Sequence, residues 1–304
     1  MLPTQLDGRN MTLVISLVTE YGAWASLDHR LTEFPDGRLI TDSSVKHVIL
    51  RCCDGCALVS YTGLGRVGRI DLSRWIREVL RGESRTVDES LIDLREQATA
   101  RIGLPAKRLD VAHLFLAGAF IDGQPWAAEI RNFRSATGLT PGGIQPVFET
   151  AAMHAGEPML AVGGAGRDAI LDSDRKLLAR IRKRRPSRPE DYMTVLGAVS
   201  RRAAESRHPA AQTVSRSCTV VFIPPSGNGV KKEWYGPEEG RSLAPNGFSH
   251  LLFGIDLDES ASEMIEMHED VSNGRIDQTL LQRRTEEAAR RAVQHKGRRA
   301  VLSR

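Results

Sequence analysis

Two short apolar runs lie within residues 11–30, at 12–19 and 23–28, separated only by Glu20, Tyr21 and Gly22. β-Branched and aliphatic residues dominate the first, and so short a break containing glycine joins strands as a hairpin. A chain that opens this way is committed to antiparallel pairing from its first two strands. Thr12 opens the first strand, and Asp28 stands sixteen positions later at the end of the second. Thr12 suits a strand simply as a β-former. Asp28 equally suits a strand end, paired with Arg30 or capping a turn.

The hairpin pattern continues. Pro35, Asp36 and Gly37 turn the chain into 38–41, and 45–52 with 57–62 form the next hairpin around Asp54 and Gly55. Leu72, Trp75, Ile76 and Val79 then mark a helix that Gly82 stops, and a second helix is expected over 88–102. Strands return at 111–120 and 126–133, joined by Asp122 and Gly123, and a Gly/Pro-rich stretch reads as irregular before a strand at 159–162. Helices over 166–184 and 189–206 precede a β-rich strand at 218–223. Strands, two helices, strands, two helices and a strand, with short turns between strands, predict an α+β fold. Its form is a four-layer αββα sandwich of mostly antiparallel sheets with helix pairs outside. Residues 1–11 precede this domain, which spans 12–225. Residues 226–304 form an extension: a loop to 247, an added edge strand at 251–255 and a helical part at 260–299 with Leu280, Leu281 and Ala288.

No apolar run reaches the roughly 20 residues that span a bilayer, and residues 1–11 lack the apolar core of a signal peptide. A cytoplasmic location is expected. The net charge of +4 is concentrated at 180–188 and in the tail from 283. Such runs usually solvate helix ends, and with 5% aromatic residues and none interleaved there, nucleic acid is disfavoured as a partner. Cys53 and Cys56 have knuckle spacing without a second pair, so they read as reduced thiols facing each other across a hairpin, and no metal or cofactor is expected. Gly63, Gly65 and Gly68 fit a dinucleotide turn, but the strands before it are hairpin-linked and the helix after it leads to another helix.

The opening hairpin, with Thr12 and then Asp28-His29-Arg30, resembles the start of the proteasome β-subunit family of N-terminal nucleophile (Ntn) hydrolases, in a divergent bacterial form. The likeness continues through Val45-Lys46-His47-Val48, Tyr61-Thr62-Gly63, the run from Leu160 to Ala165, and Ser215 before the last strand.

The resemblance implies a threonine-type hydrolase of peptide or amide bonds. In such enzymes the nucleophile's own α-amine, with an unperturbed pKa of roughly 7.7–8.0, serves as base. Thr12 would have to become terminal, either by removal of a leader or by translation from Met11 and loss of that residue. Asp28 would hold a cation beside Thr12, and Lys46 or His47 would supply it; strand alternation admits one of the two, and ungapped reading favours His47. Ser215 would stand near the amine, and a backbone N–H of Gly63 or Gly65 would meet the oxyanion. Two supports are absent: Gly164 stands where the family has serine, and Gln212 where it has aspartate. That leaves a catalytically silent scaffold of the same fold as the alternative, and nucleic-acid binding through the basic runs as a third. The family's habit of assembly implies a ring-like homo-oligomer, with Trp75, Ile76 and Val79 offering surface and room for a regulatory partner.

Overall fold

A computed structural model describes residues 12–257 apart from 33–38, 42–43, 69, 136–140, 155–157, 228–229 and 237–249. Residues 1–11 and the expected helical tail at 260–299 lie outside the described residues.

The chain runs β1 (Val14–Thr19), β2 (Gly22–Asp28), β3 (Leu31–Thr32), β4 (Leu39–Thr41), β5 (His47–Arg51), β6 (Gly55–Thr62), β7 (Arg66–Val67) and β8 (Ile70–Asp71). Helices α1 (Leu72–Leu80), α2 (Val87–Ala98) and α3 (Leu104–Arg108) follow. Then come β9 (Leu114–Ile121), β10 (Gln124–Ser135), β11 (Pro141–His154), β12 (Met159–Gly163), α4 (Asp172–Ile181) and α5 (Pro189–Glu205). The last strands are β13 (Cys218–Ile223), β14 (Lys231–Tyr235), β15 (His250–Leu252) and β16 (Ile255–Asp256).

Two sheets carry the fold, ordered β12-β1-β2-β13-β14 and β11-β10-β9-β6-β5-β15-β16. Pairing is antiparallel except where β15 joins β5. Strand alternation sorts the side chains into three cores. Val14, Val18, Ala25 and Leu27 face Leu58, Leu116 and Phe120 between the sheets. Leu13, Ile15, Leu17 and Trp24 point the other way, onto Leu196 and Val199 of α5. Val48, Leu50 and Val59 pack under Leu72, Ile76, Leu91 and Leu94 of α1 and α2. The result is the expected αββα sandwich. In the layer between the first sheet and α5, Trp24, with no exposed surface, lies 4.9 Å from Phe222 and 5.2 Å from Tyr192.

Four expectations need correction. The Gly/Pro-rich stretch after β10 is a strand, β11, at the sheet edge, where proline's missing N–H costs no ladder bond. The expected loop up to 247 contains a strand, β14, which extends one sheet, while β15 and β16 extend the other as the expected edge strand did. Trp75 and Ile76 are 6% and 0% exposed within the core under α1, so they offer no outer surface. Cys53 sits exposed in a turn closed by Cys52 N–H to Gly55 O (2.8 Å), and Cys56 stands opposite Arg51, so the two cysteines do not face each other. Among the described residues no helix is long and apolar enough to cross a membrane.

Candidate active site

The β1–β2 hairpin brings its two ends together. Val14 pairs with Leu27, so Thr12 and Asp28 lie side by side, with Asp28 N–H donating to Leu13 O (3.2 Å). The Thr12 hydroxyl donates to Asp28 Oδ2. That oxygen also receives Leu13 N–H (2.5 Å), while Oδ1 receives the N–H groups of Arg30 (2.8 Å) and Ser215 (3.5 Å). These donors replace the water that a carboxylate with no exposed surface has lost.

Lys46 completes the set. It lies just before β5, outside the ladder, so strand alternation does not dictate its direction. Its Nζ donates to Thr12 Oγ1, to Asp28 Oδ1 and Oδ2 (3.1 and 3.2 Å), and to Arg30 O (2.6 Å). The ungapped reading that favoured His47 is corrected by this placement. His47 opens β5 opposite Ser60 and borders a narrow cavity with His29, Thr219 and Lys232. Burial, and then the charge of Lys232 nearby, holds its imidazole well below the ordinary pKa of 6.5. A neutral ring of that kind is no substitute for a fixed cation.

Two backbone turns frame the threonine. Gly166 N–H donates to Thr12 O (3.0 Å). Gly164 has φ +88°, and a Cβ there would fall 2.1 Å from Thr12 O, so the chain has no room for the family's serine at this position. Gly63 and Gly65 lie in the turn after β6: Gly65 packs on the Leu31 side chain, and Gly63 has φ +103° against His113. Ser215 joins through its backbone, while its hydroxyl lies 3.1 Å from that of Ser217. Ser217 in turn lies 3.1 Å from His29 Nδ1, whose Nε2 is 2.8 Å from Thr219 Oγ1. Sequence reading missed Ser217 and His29. The alternation of Ser215, Ser217 and Thr219 before and along β13 was the available signal for Ser217. Gln212 contributes its carbonyl, which receives the Arg30 guanidinium at 2.7 Å. Among the described residues no cluster of His, Cys, Asp or Glu could hold a metal ion.

Threonine, aspartate and lysine are thus gathered at one end of an αββα sandwich. No family model and no curated protein matches the chain. Its fold is similar to the Anbu complex of Pseudomonas aeruginosa, solved as a helical assembly: TM-score 0.51, 12% identity, covering 87% of this chain and 97% of that one. Anbu from Hyphomicrobium sp. strain MC1 aligns with TM-score 0.48 at 13% identity, covering 88% and 98%. Anbu from Yersinia bercovieri, described as an ancestral β-subunit, aligns with TM-score 0.48 at 14% identity, covering 74% and 88%. At these identities the likeness speaks for the fold alone.

Proposed function

We propose that this chain is a threonine-type Ntn hydrolase of peptide or amide bonds, with Thr12 as its N-terminal nucleophile after processing. One observation carries the reading: Thr12 Oγ1 is held between the Lys46 ammonium and the Asp28 carboxylate. An ammonium at that oxygen favours negative charge developing there, and the carboxylate holds the lysine in place. Thr12 Oγ would attack the substrate carbonyl while the freed Thr12 amine takes the hydroxyl proton. The same amine would return the proton to the leaving nitrogen, and water would then release the acyl group from Oγ. Backbone N–H groups of the turn carrying Gly63 and Gly65 would stabilise the oxyanion. No cofactor enters this chemistry. The helical assembly formed by the P. aeruginosa Anbu complex supports the further reading that this chain is a homo-oligomer.

The competing reading is a silent scaffold of the same fold. It is favoured by Gly164, which excludes a serine there, and by Gln212, which offers no carboxylate. Intact mass of the protein from its native host separates the two when combined with an epoxyketone probe. A species beginning at Thr12 that takes up the probe is expected. Protein that retains Met1 or Met11 throughout would sink the hydrolase reading.

A further inference from the structure

His113 lies immediately before β9 with no exposed surface. Its backbone is clamped by Asn132: His113 N–H donates to Asn132 Oδ1 (2.7 Å), Asn132 N–H to His113 O (3.2 Å), and Asn132 Nδ2 to Val111 O (3.2 Å). The ring is wedged among Phe115, Phe148 and Tyr61 at 4.6, 5.7 and 6.5 Å. Burial pushes its pKa down to about 3, so the imidazole is neutral at any working pH. Nδ1 accepts the Leu64 N–H (3.1 Å), which leaves the ring proton on Nε2. Nε2 is buried and has no hydrogen-bond partner among the described residues. An aromatic hydrocarbon would fill the same space without that orphaned donor. What the imidazole adds is the acceptor at Nδ1.

The acceptor acts on the turn after β6. A Cβ on Gly63 would fall 2.6 Å from Nδ1, so the ring and the turn fit only because residue 63 is glycine. This turn is bracketed by the two segments that carry the candidate site. Thr62 packs over Gly163, next to the Gly164 that rests on the Thr12 carbonyl. Gly65 packs on Leu31, next to the Arg30 carbonyl that receives Lys46 Nζ.

We propose that His113 is a positioning residue for this turn: its Nδ1 captures the Leu64 N–H and holds the Gly63 and Gly65 amides as the oxyanion donors. The oxyanion role rests on the hydrolase reading above. The Leu64 N–H is committed to the imidazole, which leaves the oxyanion role to the glycine amides on either side of it.

The test uses the full processed chain with H113F, which keeps an aromatic ring and loses the acceptor, and H113N, whose Oδ1 can accept the same N–H. Hydrogen exchange at Leu64 and the kcat and KM for a fluorogenic peptide amide are measured together. In H113F, Leu64 exchange should accelerate at least about tenfold and kcat fall by roughly 10–100-fold, with KM within about twofold. H113N should restore most of kcat. Unchanged kcat in folded H113F, or H113N no better than H113F, overturns the proposal. Should H113F fail to fold, H113L serves as the variant without an acceptor. T12A run in parallel separates the two ideas. Turnover that is absent from wild type or persists in T12A removes the hydrolase reading and the oxyanion role with it. Leu64 exchange, read without substrate, still decides whether His113 holds the turn, and unchanged exchange in H113F overturns that.

Discussion

The Lys46 ammonium lies 3.1 Å from the Asp28 carboxylate, with 2% of the lysine side chain and none of the aspartate exposed. Removing one member of such a pair strands the other as a buried charge, which typically costs about 3–5 kcal/mol. Lys46→Met should therefore unfold at markedly lower urea and lose reactivity at Thr12. Adding Asp28→Asn to Lys46→Met removes the stranded charge while keeping one side-chain oxygen, for either the Leu13 or the Arg30 N–H. The double variant should be the more stable of the two. If it proves less stable than Lys46→Met alone, the pair is not the energetic unit described here.

Thr12 contributes chemistry more than stability. Thr12→Ala removes two hydrogen bonds but leaves the Lys46–Asp28 contact in place. The net loss should stay within about 1–2 kcal/mol, while labelling by an epoxyketone disappears and Thr12→Ser retains part of it. Mass spectrometry of the labelled chain reads this directly, and labelling that survives in Thr12→Ala would point to a different nucleophile.

Gly164 looks from sequence like a lost catalytic serine, and Gly164→Ser like its repair. The backbone predicts the opposite outcome. At φ +88° a side chain is strained, and its Cβ would collide with the Thr12 carbonyl. Strain of this kind costs on the order of 1–3 kcal/mol, and relieving it must move Thr12. Gly164→Ser should lower both melting temperature and kcat, and a gain in kcat would contradict this geometry.

His113 and His47 are both buried and held neutral, His113 with its pKa near 3 and His47 well below 6.5. In the unfolded chain both titrate near 6.5. Below that pH the unfolded state binds protons that the folded state refuses. Stability is therefore complete above about pH 6.5 and falls as pH drops toward 3, by up to about 1.4 kcal/mol per pH unit for each ring. Urea unfolding from pH 7 to 4 should show this slope, and H113N should make it shallower by about one ring's share. A wild-type stability that is flat across that range would contradict it.

Much of this architecture was legible because it is local. Hairpin spacing gave the antiparallel sheets, β13 has the limits read from its β-branched run, and the β1–β2 hairpin alone brings Thr12 to Asp28. What stayed hidden depends on neighbours in space. β11 contains Pro141, Gly142, Gly143 and Pro146, and only its edge position makes them tolerable. β14 begins with Lys231, Lys232 and Glu233, a charged run that becomes a strand because β13 offers it an open edge. Lys46 and His47 could not be separated because the start of β5 decides which one escapes the ladder. The Leu64–His113 contact joins residues 49 positions apart and has no local signal.

Assembly gives the last prediction. Light scattering should find a mass well above the 33.5 kDa of one chain, and a monomer over a wide concentration range would refute it. Trp75 belongs to the core beneath α1, so Trp75→Ala should cost about 3–5 kcal/mol without dissociating the oligomer. The exposed apolar groups among the described residues include Phe253 and Ile255, at 46% and 47% exposed beside the edge of the seven-stranded sheet. If that edge meets a neighbouring subunit, Phe253→Asp with Ile255→Asp should reduce the measured mass while leaving the fold intact. An unchanged mass would shift the contact to the helical faces or to the residues after 257, and truncation there would then distinguish the two.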